Sequence, residues 1–139
     1  MKRTIVRLSV IMALALAFTA VSVQAQNASN STKFVVPFEF NVGTQVLPAG
    51  TYKVVAENQT IRVQKVDGKA NVITLIRRTI TAGDGERDVK LQFRRYGQQY
   101  YLAQVWLPDN LGRELKRLRR ENTDVANNFS VVEIPAVGR

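Results

Sequence analysis

The chain of 139 residues contains no cysteine and no histidine. Without cysteine there is no disulfide, no thiolate nucleophile, no cysteine metal site and no lipid-anchoring residue. Without histidine the usual general base near neutral pH and the commonest zinc ligand are missing. Ser-His-Asp, Cys-His and histidine-based metal chemistry are therefore excluded. A carboxylate pair, a Ser-Lys dyad or a carboxylate-only metal site remain. Negative charge is scarce as well, with 11 Asp and Glu against 20 Lys and Arg, for a net charge of +9. No glycine-rich phosphate loop is present.

Only one apolar run is long, Leu8 to Phe18, broken by Ser9 and preceded by Lys2, Arg3 and Arg7. Val23-Gln24-Ala25 places small residues at the positions signal peptidase requires. Residues 1–25 thus read as a signal peptide cleaved between Ala25 and Gln26, and the protein is expected to be exported, periplasmic or secreted. The run is short for a membrane span and its continuation is rich in small and polar residues, so no integral membrane segment is expected after cleavage. Residues 26–32 (QNASNST) are polar and aperiodic, a flexible mature N-terminus. Residues 33–135 are expected to form a single β-rich domain, and residues 136–139 a tail.

Within that domain the pattern is period two, punctuated by turn residues. Phe34, Val36, Phe38, Phe40 and Val42 share one strand face, with Pro37 and Glu39 on the other, and Pro37 suggests an edge or a bulge. Leu47-Pro48-Ala49-Gly50 is a turn. Residues 51–57 and 60–66 are strands joined at Asn58-Gln59, and Asp67-Gly68 leads into a strand over 70–80. After a loop over 81–86, residues 88–96 and 100–107 form a hairpin through Gly97-Gln98-Gln99, and residues 129–134 give a last strand. Leu111, Leu115 and Leu118 fall at i, i+4 and i+7, which predicts a short helix over about 110–121, capped by Asp109 or Asn110. The expected fold is mainly β: a small antiparallel barrel or sandwich of six to seven strands with one C-terminal helix. Charges on both strand faces argue against a transmembrane barrel.

The segments FVVPFEFNVG (34–43), LPAGTY (47–52) and FRRYGQQYYLAQVW (93–106) resemble a group of small exported bacterial proteins, over about residues 34–121. The resemblance implies export and a compact β fold. No activity is assigned to that group, so it carries over no functional residues.

Three places carry candidate chemistry. Arg113, Lys116, Arg117, Arg119 and Arg120 put five cations within eight residues on the predicted helix, a surface for a polyanion or simply a solvated face. With a three-residue loop, Val89, Leu91 and Phe93 pair with Leu107, Val105 and Ala103. The other hairpin face then carries Arg94 and Tyr96 beside Tyr100 and Trp106, an aromatic-cationic surface for a ligand or one covered by the leucine stripe. A two-residue loop reverses that assignment. Asp84-Gly85-Glu86-Arg87-Asp88 alternates carboxylates but lacks the glycine and glutamate of an EF-hand. Glu39 and Glu133 are the remaining strand carboxylates, with nothing in the sequence to bring them together. No catalytic, cofactor or metal site is assigned. The expected function is non-enzymatic binding or structural work in the envelope or extracellular space, engaging an anionic envelope component. The alternatives are a protein-interaction module using a sheet edge or helix face, and a carrier of a small apolar ligand. An exported protein has little reason to meet nucleic acid.

Overall fold

The computed structural model describes residues 31–83, 88–118 and 128–138. They form ten strands and no helix: β1 (Thr32–Val36), β2 (Phe40–Val42), β3 (Gln45–Leu47), β4 (Gly50–Glu57), β5 (Thr60–Lys65), β6 (Asn71–Thr81), β7 (Lys90–Tyr96), β8 (Gln99–Trp106), β9 (Leu111–Leu115) and β10 (Ser130–Pro135). The pairing path is β1-β4-β5-β6-β9-β8-β2-β3, with β7 beside β8 and β10 beside β7. Every pairing between these strands is antiparallel except the single bridge Asn41–Tyr101 between β2 and β8.

β6 divides the fold. Its residues Asn71 to Leu75 pair with β5, and Ile76 to Thr81 pair with β9, with a register shift between Ile76 and Arg78. One layer is therefore β1, β4, β5 and the start of β6; the other is the end of β6 with β9, β8, β7 and β10. At the far side Phe34 bridges Ala136, and the Val137 amide donates to the Lys33 carbonyl at 2.9 Å. The layers meet there through this one bridge, without a ladder.

The core is the one the alternation marks out. Phe34, Val36, Phe40 and Val42 are fully buried, together with Tyr52, Val54, Ile61, Leu91, Phe93 and Val105. Removing such side chains from water contributes roughly 1.5–3 kcal/mol each before entropy is counted. Pro37 has no amide to donate, and the strand breaks there. Phe34 and Val36 stay on β1, while Phe40 begins β2 in the other layer, its ring 5.1 Å from Tyr52 and 5.3 Å from Phe93. Phe38, in the bend between them, is only partly buried.

Two expectations are corrected. The strands number ten among the described residues, not six or seven, because Pro37 splits the first and Gly43-Thr44 turns the chain into β3. The predicted helix over 110–121 is instead a hairpin strand, β9, as far as it is described. Pro108-Asp109-Asn110 forms the turn, with Asn110 at φ 60° and its amide donating to the Leu107 carbonyl at 3.2 Å. An asparagine in the left-handed region closes a three-residue β-hairpin loop. Gly112, mid-segment, also disfavours a helix. The signal peptide with its Ala25–Gln26 cleavage point, most of the flexible N-terminus, Asp84 to Arg87, Arg119 and Arg120 lie outside the described residues.

Candidate functional site

The β7–β8 hairpin separates the four residues expected to line one ligand face. Its tip is a two-residue turn, Gly97-Gln98, with Gly97 at φ 59°. The pairing Leu91–Val105 matches the expected register. Beyond Gln92–Gln104 the register shifts, so that Phe93 faces Leu102 and Arg94 faces Tyr101. The extra residue, Ala103, turns Leu102 inward beside Phe93 and places Tyr100 opposite Arg95. Tyr100 stacks on Phe38 at 3.8 Å and carries the Arg95 guanidinium 5.4 Å from its ring centre. Both of its faces are occupied. Tyr96 lies elsewhere, its ring 5.7 Å from Tyr101 and 5.6 Å from Phe129, and its hydroxyl is buried without a hydrogen-bond partner. Arg94 is buried on β7.

Trp106 is also buried, beneath no helix. It pairs with Gly112 across β8 and β9, where a Cβ would lie 2.6 Å from the indole. Its indole N–H donates to Gln104 Oε1 at 3.1 Å. Trp106 is thus a packing residue on the β8–β9 pair, and Gly112 is what lets the ring lie flat.

The basic segment does not form one surface either. Arg113 is buried in a cleft of about 520 Å3 lined also by Thr32, Ala56, Leu107 and Asp109. Its guanidinium forks onto both Asp109 carboxylate oxygens, with a further hydrogen bond of 3.1 Å to the Leu111 carbonyl. The Arg113 hydrogen bonds hold the Asp109 carboxyl below the ordinary carboxylate range, against the opposing effect of burial. Arg117 sits 5.5 Å from the Phe129 ring centre, and Lys116 is exposed.

The strand carboxylates are engaged as hydrogen-bond acceptors. Glu133 accepts from Lys90 Nζ at 3.0 Å and from Gln92 Nε2 at 2.6 Å, which lowers its pKa. Glu114 is buried and meets both Arg77, at 3.6 Å, and Arg78. Glu39 is exposed and lines a groove with Phe38, Asn41 and Tyr100, while Glu133 lines a different one with Val89 and Lys90. These two carboxylates therefore form no pair for acid–base work.

What sequence reasoning missed is the outward face of the β1–β4–β5 layer. Lys33 and Lys53 are direct cross-strand partners, Lys53 faces Gln64, and Gln64 faces Asn71. Neither lysine forms an ion pair with a described residue. Like charges placed opposite each other cost stability, so nothing in the fold calls for this pair. Both lysines stand at outward positions that the alternation already assigns. Their meeting depends on β1 pairing with β4 across the intervening β2 and β3, which no local pattern reveals.

Among the described residues no helix is long and apolar enough to cross a membrane. No group of three or more metal-capable side chains occurs among those residues. No protein-family model, curated protein or solved structure matches the chain.

Proposed function

We propose that the protein is an exported, non-enzymatic binding module that engages an anionic envelope component through the outward face of its β1–β4–β5 layer. The observation carrying this reading is the Lys33–Lys53 pair: two cations held in register with no counter-charge among the described residues. An anionic partner converts that repulsion into binding energy, sensitive to salt because the surface is open to solvent. The net charge of +9 falls by three when Lys2, Arg3 and Arg7 leave with the signal peptide, and the remaining positive charge adds long-range attraction to an anionic partner. Asp109 and Glu133, whose carboxyls their hydrogen-bond partners hold below the ordinary range, are poor candidates for a general acid at neutral pH. The carrier reading has less support, since the buried cluster between the layers is built of mutually packed aromatic and β-branched side chains.

The test is salt elution of the purified protein from immobilised dextran sulfate. A Lys33→Gln/Lys53→Gln double variant should elute at clearly lower salt while melting at the parent temperature or slightly above it, since the like-charge repulsion is gone. Elution at the same salt as the parent would refute the assignment to this face.

A further inference from the structure

Among the described residues, the start of β6 has an open side. The Lys65 amide donates to the Ala70 carbonyl and the Ile76 amide to the Gln59 carbonyl, both at 2.8 Å. These bonds set the phase of the antiparallel ladder: residues 70, 72, 74 and 76 direct their amides and carbonyls towards β5. Those of Asn71, Ile73 and Leu75 point the other way. On that side β9 pairs only from Ile76 onward, and no described strand continues beside Asn71 to Leu75. The side chains of Ile73 and Leu75 are 57% and 65% exposed. From within, the stretch is backed by the β2–β3 turn, where a Cβ at Gly43 would lie 3.9 Å from Thr74 Oγ1.

An unprotected edge with apolar outward residues is a template for another strand. The charge around it selects the strand. Lys69 precedes the open stretch, Arg77 follows it, and exposed Lys116 leaves β9 at the same end. The nearby carboxylates are already engaged: Glu57 by Arg62, Asp67 by Lys65, and Glu114 by Arg77 and Arg78. A second copy is disfavoured, because two-fold antiparallel pairing about Ile73 sets Arg77 opposite the copy's Lys69 at both ends.

We propose that the Asn71–Leu75 edge of β6 receives an extended segment of a partner protein by strand addition. That segment carries apolar residues at alternate positions, beside Ile73 and Leu75, and acidic residues at its ends, near Lys69 and Arg77. This goes beyond the proposed cationic face and does not depend on the Lys33–Lys53 pair.

The experiment is a fluorescence-polarisation titration of the purified protein with a labelled peptide of alternating valine and threonine, flanked by glutamate. Controls are the same peptide flanked by lysine and a version N-methylated on the bonding side of its backbone. The glutamate peptide should bind, with each control at least tenfold weaker. Ile73→Pro should also weaken binding at least tenfold, because it removes one edge amide and none of the β5 bonds. A circular-dichroism melt checks its fold, and the N-methylated peptide decides the question if that variant does not fold. Equal binding of the N-methylated or lysine-flanked peptide overturns the proposal. So does a concentration-dependent dimer that forms through this edge without peptide binding. Retention of the parent protein on dextran sulfate separates the two readings: a parent that binds the peptide but is not retained refutes the lysine face, and a parent that is retained but does not bind the peptide refutes the edge.

Discussion

On the outward side of β1 and β4, Lys33 and Lys53 repel each other with no ion pair among the described residues; on the outward side of β7, β8 and β9, Lys90 and Glu114 are buried and matched. Lys33 faces Lys53 in the first layer. In the second, Lys90 meets Glu133 and Glu114 meets two arginines, with Trp106 lying on Gly112 beside them. The first layer is an amphipathic sheet, apolar within and mostly polar without, with Val35, Ile73 and Leu75 exposed on its outward side. The second carries ordered polar contacts on its outside as well, so its charges are part of the architecture. The like-charge pair Lys33–Lys53 belongs to the first.

The comparison breaks most readily at the core that both layers share. Phe40→Ala should cost about 3–5 kcal/mol, because the ring is fully buried between Tyr52 of one layer and Phe93 of the other. Chemical denaturation measures it. A cost below about 1 kcal/mol, within the range of an exposed site, would mean that the layers are not packed through this ring. Phe38→Ala, at the partly buried bend, should cost less than Phe40→Ala in the same measurement.

Matched charge in the second layer gives the next effect. Asp109→Asn removes the carboxylate that holds buried Arg113 and should cost about 2–3 kcal/mol. Arg113→Met, which removes the buried charge itself, should be better tolerated. If both variants lose the same stability, the arginine is contributing packing and not pairing. The same carboxylates set an acid limit. Folded-state pKa values lowered for Asp109 and Glu133 mean stabilisation that is full above the unfolded carboxylate value of about 4 and lost as pH falls through the folded value. Thermal melts from pH 6 down to pH 2 should show this loss, and it should shrink in Asp109→Asn.

The contrast between layers also explains what was legible in the sequence. Phe34, Val36, Phe40 and Val42 announce an inward face by strict alternation, and the turns at Asn58-Gln59 and Asp67-Gly68 lie where their residue types place them. β9 was hidden because its alternation is Leu111, Arg113, Leu115, with a buried cation in the middle. A leucine-only reading of the same residues finds a helical stripe through Leu118. Only Asp109, which neutralises Arg113, makes the inward arginine tolerable, and that pairing is tertiary information. The bulge at Ala103 is likewise invisible in composition, yet one residue there moves Tyr100 away from Arg94 and dissolves the expected aromatic-cationic face. The Lys33–Lys53 pair required knowing that β1 skips two strands to reach β4.

Gly112→Ala sharpens the second layer further. The added Cβ would lie 2.6 Å from the Trp106 ring, so the indole must shift and strain its bond to Gln104. A cost of about 1–3 kcal/mol and a red-shifted tryptophan fluorescence are expected. Wild-type stability and spectrum would show the ring to be free to move, contrary to its burial.

The smallest effect is the most discriminating between the two layers, because its sign differs from all the others. Lys53→Glu replaces a like-charge pair with an opposite one across β1 and β4, and cross-strand pairs of opposite charge contribute roughly 0.2–1 kcal/mol. The variant should therefore be slightly more stable than the parent, by an amount that shrinks in high salt. It should also bind dextran sulfate more weakly. By contrast, Glu114→Gln on the outward side of the second layer should destabilise, since it leaves Arg77 and Arg78 without their shared carboxylate. A residue whose removal strengthens the fold and weakens binding is kept for its partner; one whose removal weakens the fold is kept for the fold. Finding Lys53→Glu destabilising would place Lys53 in the second class and remove the physical ground for the proposed cationic face.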